Sequence, residues 1–123
     1  MSGRTSELAV GMRFRSAERI RRRADFQQVY ARGVRIHSRY ATVFILSNSL
    51  GTGRLGIAAT RKLGGAVARN RAKRLIREVF RRNKLAPGFD IVVIPKRELL
   101  DASLIALETE FRHIVERSLR RSR

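Results

Sequence analysis

Apolar residues recur at helical spacing in three stretches of the chain and form strand-like runs in four others. From Ala24 to Arg32, Phe26, Val29 and Tyr30 stand at i, i+3 and i+4, which predicts a short helix stopped by Gly33. Val34 to His37 predicts a first short strand. Tyr40 to Leu46, uncharged and rich in β-branched and aromatic side chains, predicts a second. Turn residues Asn48 to Gly53 separate it from a third, Arg54 to Thr60, and this pair is expected to form an antiparallel hairpin. Gly64-Gly65 then opens a long helix, Ala66 to Arg82. Beyond the break at Ala86-Pro87-Gly88, Ile91 to Ile94 is a wholly apolar strand ended by Pro95. A last amphipathic helix runs from Ala102 to Arg120, with Leu104, Leu107, Phe111, Ile114, Val115 and Leu119 on one side. The order αβββαβα predicts an α+β fold, a small α-β sandwich with helices packed on a sheet.

The long helix has two unlike faces. At ~100° per residue, Ala72, Leu75, Ile76, Val79 and Phe80 gather on one side and are expected to face the sheet. Asn70, Arg74, Arg77 and Arg81 gather opposite, flanked by Arg71, Lys73 and Glu78, with Arg69 near the apolar edge. An ordinary solvated helix face mixes signs, because opposite charges at i, i+4 stabilise it and like charges repel. Between residues 69 and 82 the only acid is Glu78. Such a face suits an anion. Arginine outnumbers lysine here, and its guanidinium fork grips phosphate bidentately and stacks on bases. Arg61 and Lys62, with Gly64-Gly65, bring further cations and backbone N–H groups to the helix entrance.

Strand alternation marks a second surface. With Ala41, Val43 and Ile45 turned to the core, Tyr40, Thr42 and Phe44 are expected on the other face. With Leu55, Ile57 and Ala59 inward, Gly56 and Ala58 point the same way as those aromatics. Aromatic residues beside small ones would let a nucleic-acid strand lie close, with Phe26 and Tyr30 as the opposite wall. Base stacking on such rings contributes ~1–3 kcal/mol per base and tolerates any sequence. The same pattern also fits a plain helix-on-sheet core containing Phe26, Tyr30 and Phe44.

Charge sharpens this picture. The 123 residues carry 28 Lys+Arg against 10 Asp+Glu, a net charge of +18. The cations bunch in residues 13–39 and 61–84, whereas residues 40–53 hold no charge. A polyanionic partner is implied, nucleic acid before a membrane surface. Length suits one domain, with residues 1–18 as a flexible basic leader and residues 19–120 as the RNA-binding unit. The absence of Cys excludes disulfides and thiol nucleophiles and fits a reducing compartment. No run reaches the ~18 apolar residues of a membrane helix, and the start lacks a secretory core, so a cytoplasmic protein is expected.

No protein-borne catalysis is expected. A nuclease centre needs carboxylates or histidines grouped around a metal or a proton path. The acids are scattered, no DxD or HxH spacing occurs, and Glu108 and Glu110 lie about 200° apart on a helix. His37 and His113 are lone. Any metal the chain meets is expected to be shared with RNA phosphates.

The run from Arg54 to Arg81, centred on Arg69-Asn70-Arg71 and continuing through Lys73-Arg74-Leu75-Ile76-Arg77, resembles the bacterial ribonuclease P protein subunit. Asp25-Phe26-Gln27-Gln28-Val29-Tyr30 and Gly33 resemble its N-terminal helix, and the similarity spans about residues 19–118. Gly65 stands where the family usually has Asn, and Arg61 where Lys is usual. The resemblance implies a sandwich with a left-handed βαβ crossover, the opposite of the general rule. It implies a protein that binds ribonuclease P RNA and precursor tRNA and assists removal of the 5′ leader, an endonucleolytic reaction whose chemistry belongs to the RNA and its Mg²⁺. Arg61, Lys62, Arg69, Asn70, Arg71, Lys73, Arg74 and Arg77 would then meet the catalytic RNA. Phe26, Tyr30, Tyr40, Thr42, Phe44, Gly56 and Ala58 would line the leader cleft. A ribosomal or ribosome-assembly protein would share the arginine helix but not the aromatic sheet face. An architectural DNA binder would need heptads or a helix-turn-helix, which are missing. A basic membrane-surface protein would need an exposed apolar face, and Leu75, Ile76, Val79 and Phe80 are wanted by the core.

Overall fold

A computed structural model describes residues 18–83 and 88–121. The expected leader lies outside the described residues except for Glu18, which is buried, and so do Ala86 and Pro87 of the expected break. In chain order the elements are α1 (Arg23–Arg32), β1 (Val34–His37), β2 (Ala41–Ser47), β3 (Arg54–Ile57), α2 (Ala66–Arg82), β4 (Phe89–Pro95) and α3 (Leu104–Arg121). Two 3-10 turns, Arg61–Leu63 and Arg97–Asp101, precede α2 and α3. The third strand is shorter than expected, ending at Ile57.

The strands form one mixed sheet in the order β1-β2-β4-β3. β2 is antiparallel to both β1 and β4, while β3 runs parallel to β4. The expected β2–β3 hairpin does not form. β4 inserts between those strands because Ile91, Val92 and Val93 are apolar on both faces, and only a central strand buries both. The α2 crossover returns the chain to the same end of the sheet, which makes β3 and β4 parallel.

Each face of the sheet has its own core. On one side Val43, Ile45, Leu55, Ile91 and Val93 pack against Ile76, Val79 and Phe80 of α2 and Leu107, Ile114 and Val115 of α3. On the other, Val92 meets Ile20 and Val29, with Phe26, Phe44 and Leu46 partly buried around them. The molecule is therefore α1, sheet, then the α2–α3 pair. The wheel for α2 is obeyed, since Ala72, Ile76, Val79 and Phe80 are its buried residues and Leu75 packs on the core.

Three polar ties fix the layers. The Ile20 N–H donates to the Leu55 carbonyl at 2.9 Å, so the segment before α1 runs beside the outer edge of β3. The buried Asn83 at the end of α2 donates to Val79 O at 3.0 Å and Glu108 Oε2 at 3.1 Å, and accepts from Arg112 Nε at 2.9 Å. The Lys96 ammonium donates to Ser38 O at 2.7 Å, closing the β1–β2 turn onto the end of β4.

Candidate nucleic-acid interface

The outer face of α2 leaves Asn70, Arg71 and Arg74 exposed, with Arg69, Lys73 and Arg77 half-buried. Asn70, Lys73, Arg74, Arg77, Glu78 and Arg81 line one shallow concavity. Within it Arg81 forms an ion pair with Glu78 one turn back, neutralising the single acid. Among the described residues no carboxylate lies within ion-pair distance of Lys73, Arg74 or Arg77. The surface is thus cationic in fact as well as in sequence. Arg61 and Lys62 stand exposed on the 3-10 turn before the helix. Gly64 adopts φ 142°, a value an L side chain resists, and Gly65 caps α2 with no side chain of its own to bond the first-turn N–H groups. Those N–H groups add to the attraction for an anion.

Lys73 and Arg77 also border a second concavity, of Arg19, Ile20, Arg21, Phe26, Leu55 and Ile57. Here the segment before α1, α1 itself and α2 meet. Arg19 and Arg21 were absent from the site read in the sequence. The bunching of cations in residues 13–39 was the signal that could have found them.

Strand register arranges the opposite sheet face in rows. Arg35, Phe44, Val92 and Gly56 lie side by side, in that order across β1, β2, β4 and β3. His37, Thr42 and Ile94 form the next row, and the Ala58 N–H donates to Val93 O at 2.9 Å at its far end. Helix α1 lies over the first row. Its Phe26 ring covers Gly56 so closely that a Cβ there would come within 2.7 Å of the ring. Tyr30 meets Phe44 edge-on with centroids 5.0 Å apart and Phe26 at 6.4 Å. The Arg35 guanidinium sits 5.8 Å from the Phe44 ring centre, extending the aromatic ladder with a cation. Tyr30 is 37% exposed, and the burial of the remainder pushes its phenol up from the usual tyrosine value. In the second row His37 is exposed and Thr42, Ile94 and Ala58 are half-buried, so this part of the sheet face lies open beside α1.

Two residues expected to line the aromatic cleft do not offer it an open surface. Tyr40 packs against the main core on the α2–α3 side, next to Phe111, with Arg39 stacked at 5.5 Å. The reason is the turn: Ser38 Oγ accepts from the N–H groups of Tyr40 at 3.3 Å and Ala41 at 3.2 Å, so regular alternation begins only at Ala41. Gly56 faces the expected way but is buried under Phe26 and Ile20, so it seats α1 and offers no open floor. Phe26 and Phe44 are partly core and Tyr30 is more exposed, so the two readings of the aromatic pattern divide the site between them.

Among the described residues no three His, Asp or Glu side chains come together. No described helix is long and apolar enough to cross a membrane. The cations and rings can hold a polyanion and its bases.

Comparison with known proteins places this arrangement. The Ribonuclease P family model matches residues 14–119. The ribonuclease P protein component of Thermotoga maritima is 46% identical over 88 residues, covering 70% of this chain and 75% of that protein. That of Clostridioides difficile is 34% identical over 110 residues, covering 87% and 96%. The solved structure of the T. maritima protein matches with a TM-score of 0.73 at 37% identity, covering 81% of this chain and 96% of that one. In sequence and in fold, this chain belongs to the ribonuclease P protein family.

Proposed function

We propose that this protein component of ribonuclease P holds the catalytic RNA on the cationic face of α2 and the 5′ leader of precursor tRNA on the open sheet face beside α1, against the Tyr30 and Phe44 rings. One observation carries the reading: Lys73 and Arg77 border both the outer concavity of α2 and the one reached by Phe26, so the cationic and aromatic surfaces adjoin. Cations on α2 suit phosphates of a folded RNA, whose binding they make salt-dependent. Rings at Phe26, Tyr30 and Phe44 suit unpaired bases, which stack without regard to sequence. The described residues hold no grouped set of donors for metal, and on this reading Mg²⁺ and the bond cleavage belong to the RNA subunit. The reading puts the protein in the cytoplasm with its two RNA partners.

The test is precursor tRNA cleavage at low Mg²⁺ by a bacterial ribonuclease P RNA, with and without this protein. Strong stimulation with RNA, and no cleavage by the protein alone, is the expected result. Tight RNA binding without stimulation would instead favour a structured-RNA binder of the ribosome-assembly kind.

A further inference from the structure

Stacking explains why a leader would bind, but not why one leader would bind better than another. Rings accept every base, whereas discrimination requires hydrogen bonds aimed at a base edge. One pair of side chains on the open part of the sheet face is built for that. Thr42 and His37 oppose each other directly across β1 and β2, and Thr42 Oγ1 is hydrogen-bonded to His37 Nδ1 at 3.2 Å. The bond fixes the imidazole, leaving its Nε2 edge and the remaining capacity of the Thr42 hydroxyl available. If the hydroxyl donates to Nδ1, the pair still offers an Nε2–H donor and a hydroxyl acceptor. If Nδ1–H donates, it still offers an Nε2 acceptor and a hydroxyl donor. In either tautomer one donor and one acceptor remain.

Position adds to this. Thr42 and Phe44 are two residues apart on one strand, hence ~6.6 Å, and Arg35 and His37 repeat that spacing on β1. A base stacked at Phe44 on a strand that runs toward the open part of the face would have its neighbour over the His37–Thr42 pair. Ile36 and Val43, the residues that carry these strands into the core, point to the other face and are buried there.

We infer that His37, held by Thr42, reads the identity of one nucleotide of the single-stranded leader next to the base stacked on Phe44. The inference rests on the leader-cleft reading given above. His37 is the contacting group, and Thr42 is both a contact and the positioning residue for the ring.

The experiment uses the assembled protein–RNA enzyme and a set of precursor tRNAs whose leaders differ by one nucleotide at a time. Relative kcat/KM at each leader position is the readout, with mature tRNA binding as the control. The unaltered protein should show a preference of about three- to tenfold at one leader position, the scale of one or two hydrogen bonds. His37→Ala and Thr42→Val should flatten the preference at that position alone, and Thr42→Ser, which keeps the hydroxyl, should retain it. Phe44→Ala should instead weaken every leader about equally. The inference is overturned if the unaltered protein shows no preference, or if His37→Ala and Thr42→Val leave the profile unchanged or lower all leaders alike. Should Phe44→Ala spare every leader-bearing precursor, the cleft reading itself fails and the inference falls with it. That result is distinct from a cleft that binds leaders while His37 ignores their sequence.

Discussion

Arg54 and Asp90 face each other across the parallel β3–β4 pair and are joined by two hydrogen bonds, Nε to Oδ1 at 2.8 Å and Nη2 to Oδ2 at 2.6 Å. Asn48 donates to the same carboxylate at 2.7 Å, and Asp25 of α1 lies 3.7 Å from the guanidinium. One cluster thus ties the β2–β3 loop, both parallel strands and α1. The bond to Asp90 is the main reason the Arg54 guanidinium is held above the usual arginine range. Arg54→Met leaves the buried carboxylate with Asn48 and should cost about 3 kcal/mol, the scale of a broken buried pair. The double variant Arg54→Met with Asp90→Leu should recover part of that loss. Urea unfolding at constant m-value measures both; equal destabilisation by the single and double variants would contradict the pairing.

Gly56 is occupied in effect by the Phe26 ring, which lies where its Cβ would go. Gly56→Ala should therefore destabilise the protein by about 1–3 kcal/mol through overpacking. Phe26→Ala in the same chain should relieve the clash, giving a coupling of 0.5 kcal/mol or more in a double-mutant cycle, as for residues in contact, roughly. Additive effects would mean that α1 can shift away from the sheet without cost.

Arg74 and Arg81 lie on the same face of α2, but Arg81 is engaged with Glu78. Arg74→Ala should weaken affinity for ribonuclease P RNA and flatten its log–log salt dependence by up to about one unit. Arg81→Ala should have the smaller effect. Filter binding across a salt series checks this, and an unchanged slope for Arg74→Ala would remove α2 from the RNA contact.

Tyr30 and Phe44 meet edge-on at 5.0 Å, and Tyr30 is the more exposed of the aromatic row. Tyr30→Ala and Phe44→Ala should each weaken binding of leader-bearing precursor tRNA by about five- to a hundredfold, one stacked base. Mature tRNA should bind as before. Equal losses for the two ligands would place these rings outside the leader path.

The helices were legible because their periodicity reports directly on burial. Ala72, Ile76, Val79 and Phe80 are buried as the wheel requires, and the cations opposite them are exposed or half-exposed. Strand pairing was less so, because neighbours in the chain need not be neighbours in the sheet. The clue lay in Ile91-Val92-Val93, whose apolar side chains on both faces demand a central place. Tyr40 was misassigned because a turn held by Ser38 Oγ interrupts the period-2 rule one residue before β2. Gly56 was oriented correctly, yet its cover by Phe26 depends on how α1 crosses the sheet, which no local pattern encodes. Arg19 and Arg21 needed the backbone bridge from Ile20 to Leu55 before they could be seen beside α2.

The central position of β4 also governs the order in which the molecule can be completed. On a ribosome, α2 emerges with its full set of cations while the strand that will lock it onto the sheet is still unmade. Until residues 89–95 arrive, β2 lacks a partner on one edge and β3 on its inner edge. Long-range pairings of this kind come late and slowly. The cationic helix is therefore secured only once β4 has been made, so a chain truncated before β4 would carry the charges without the surface that arranges them.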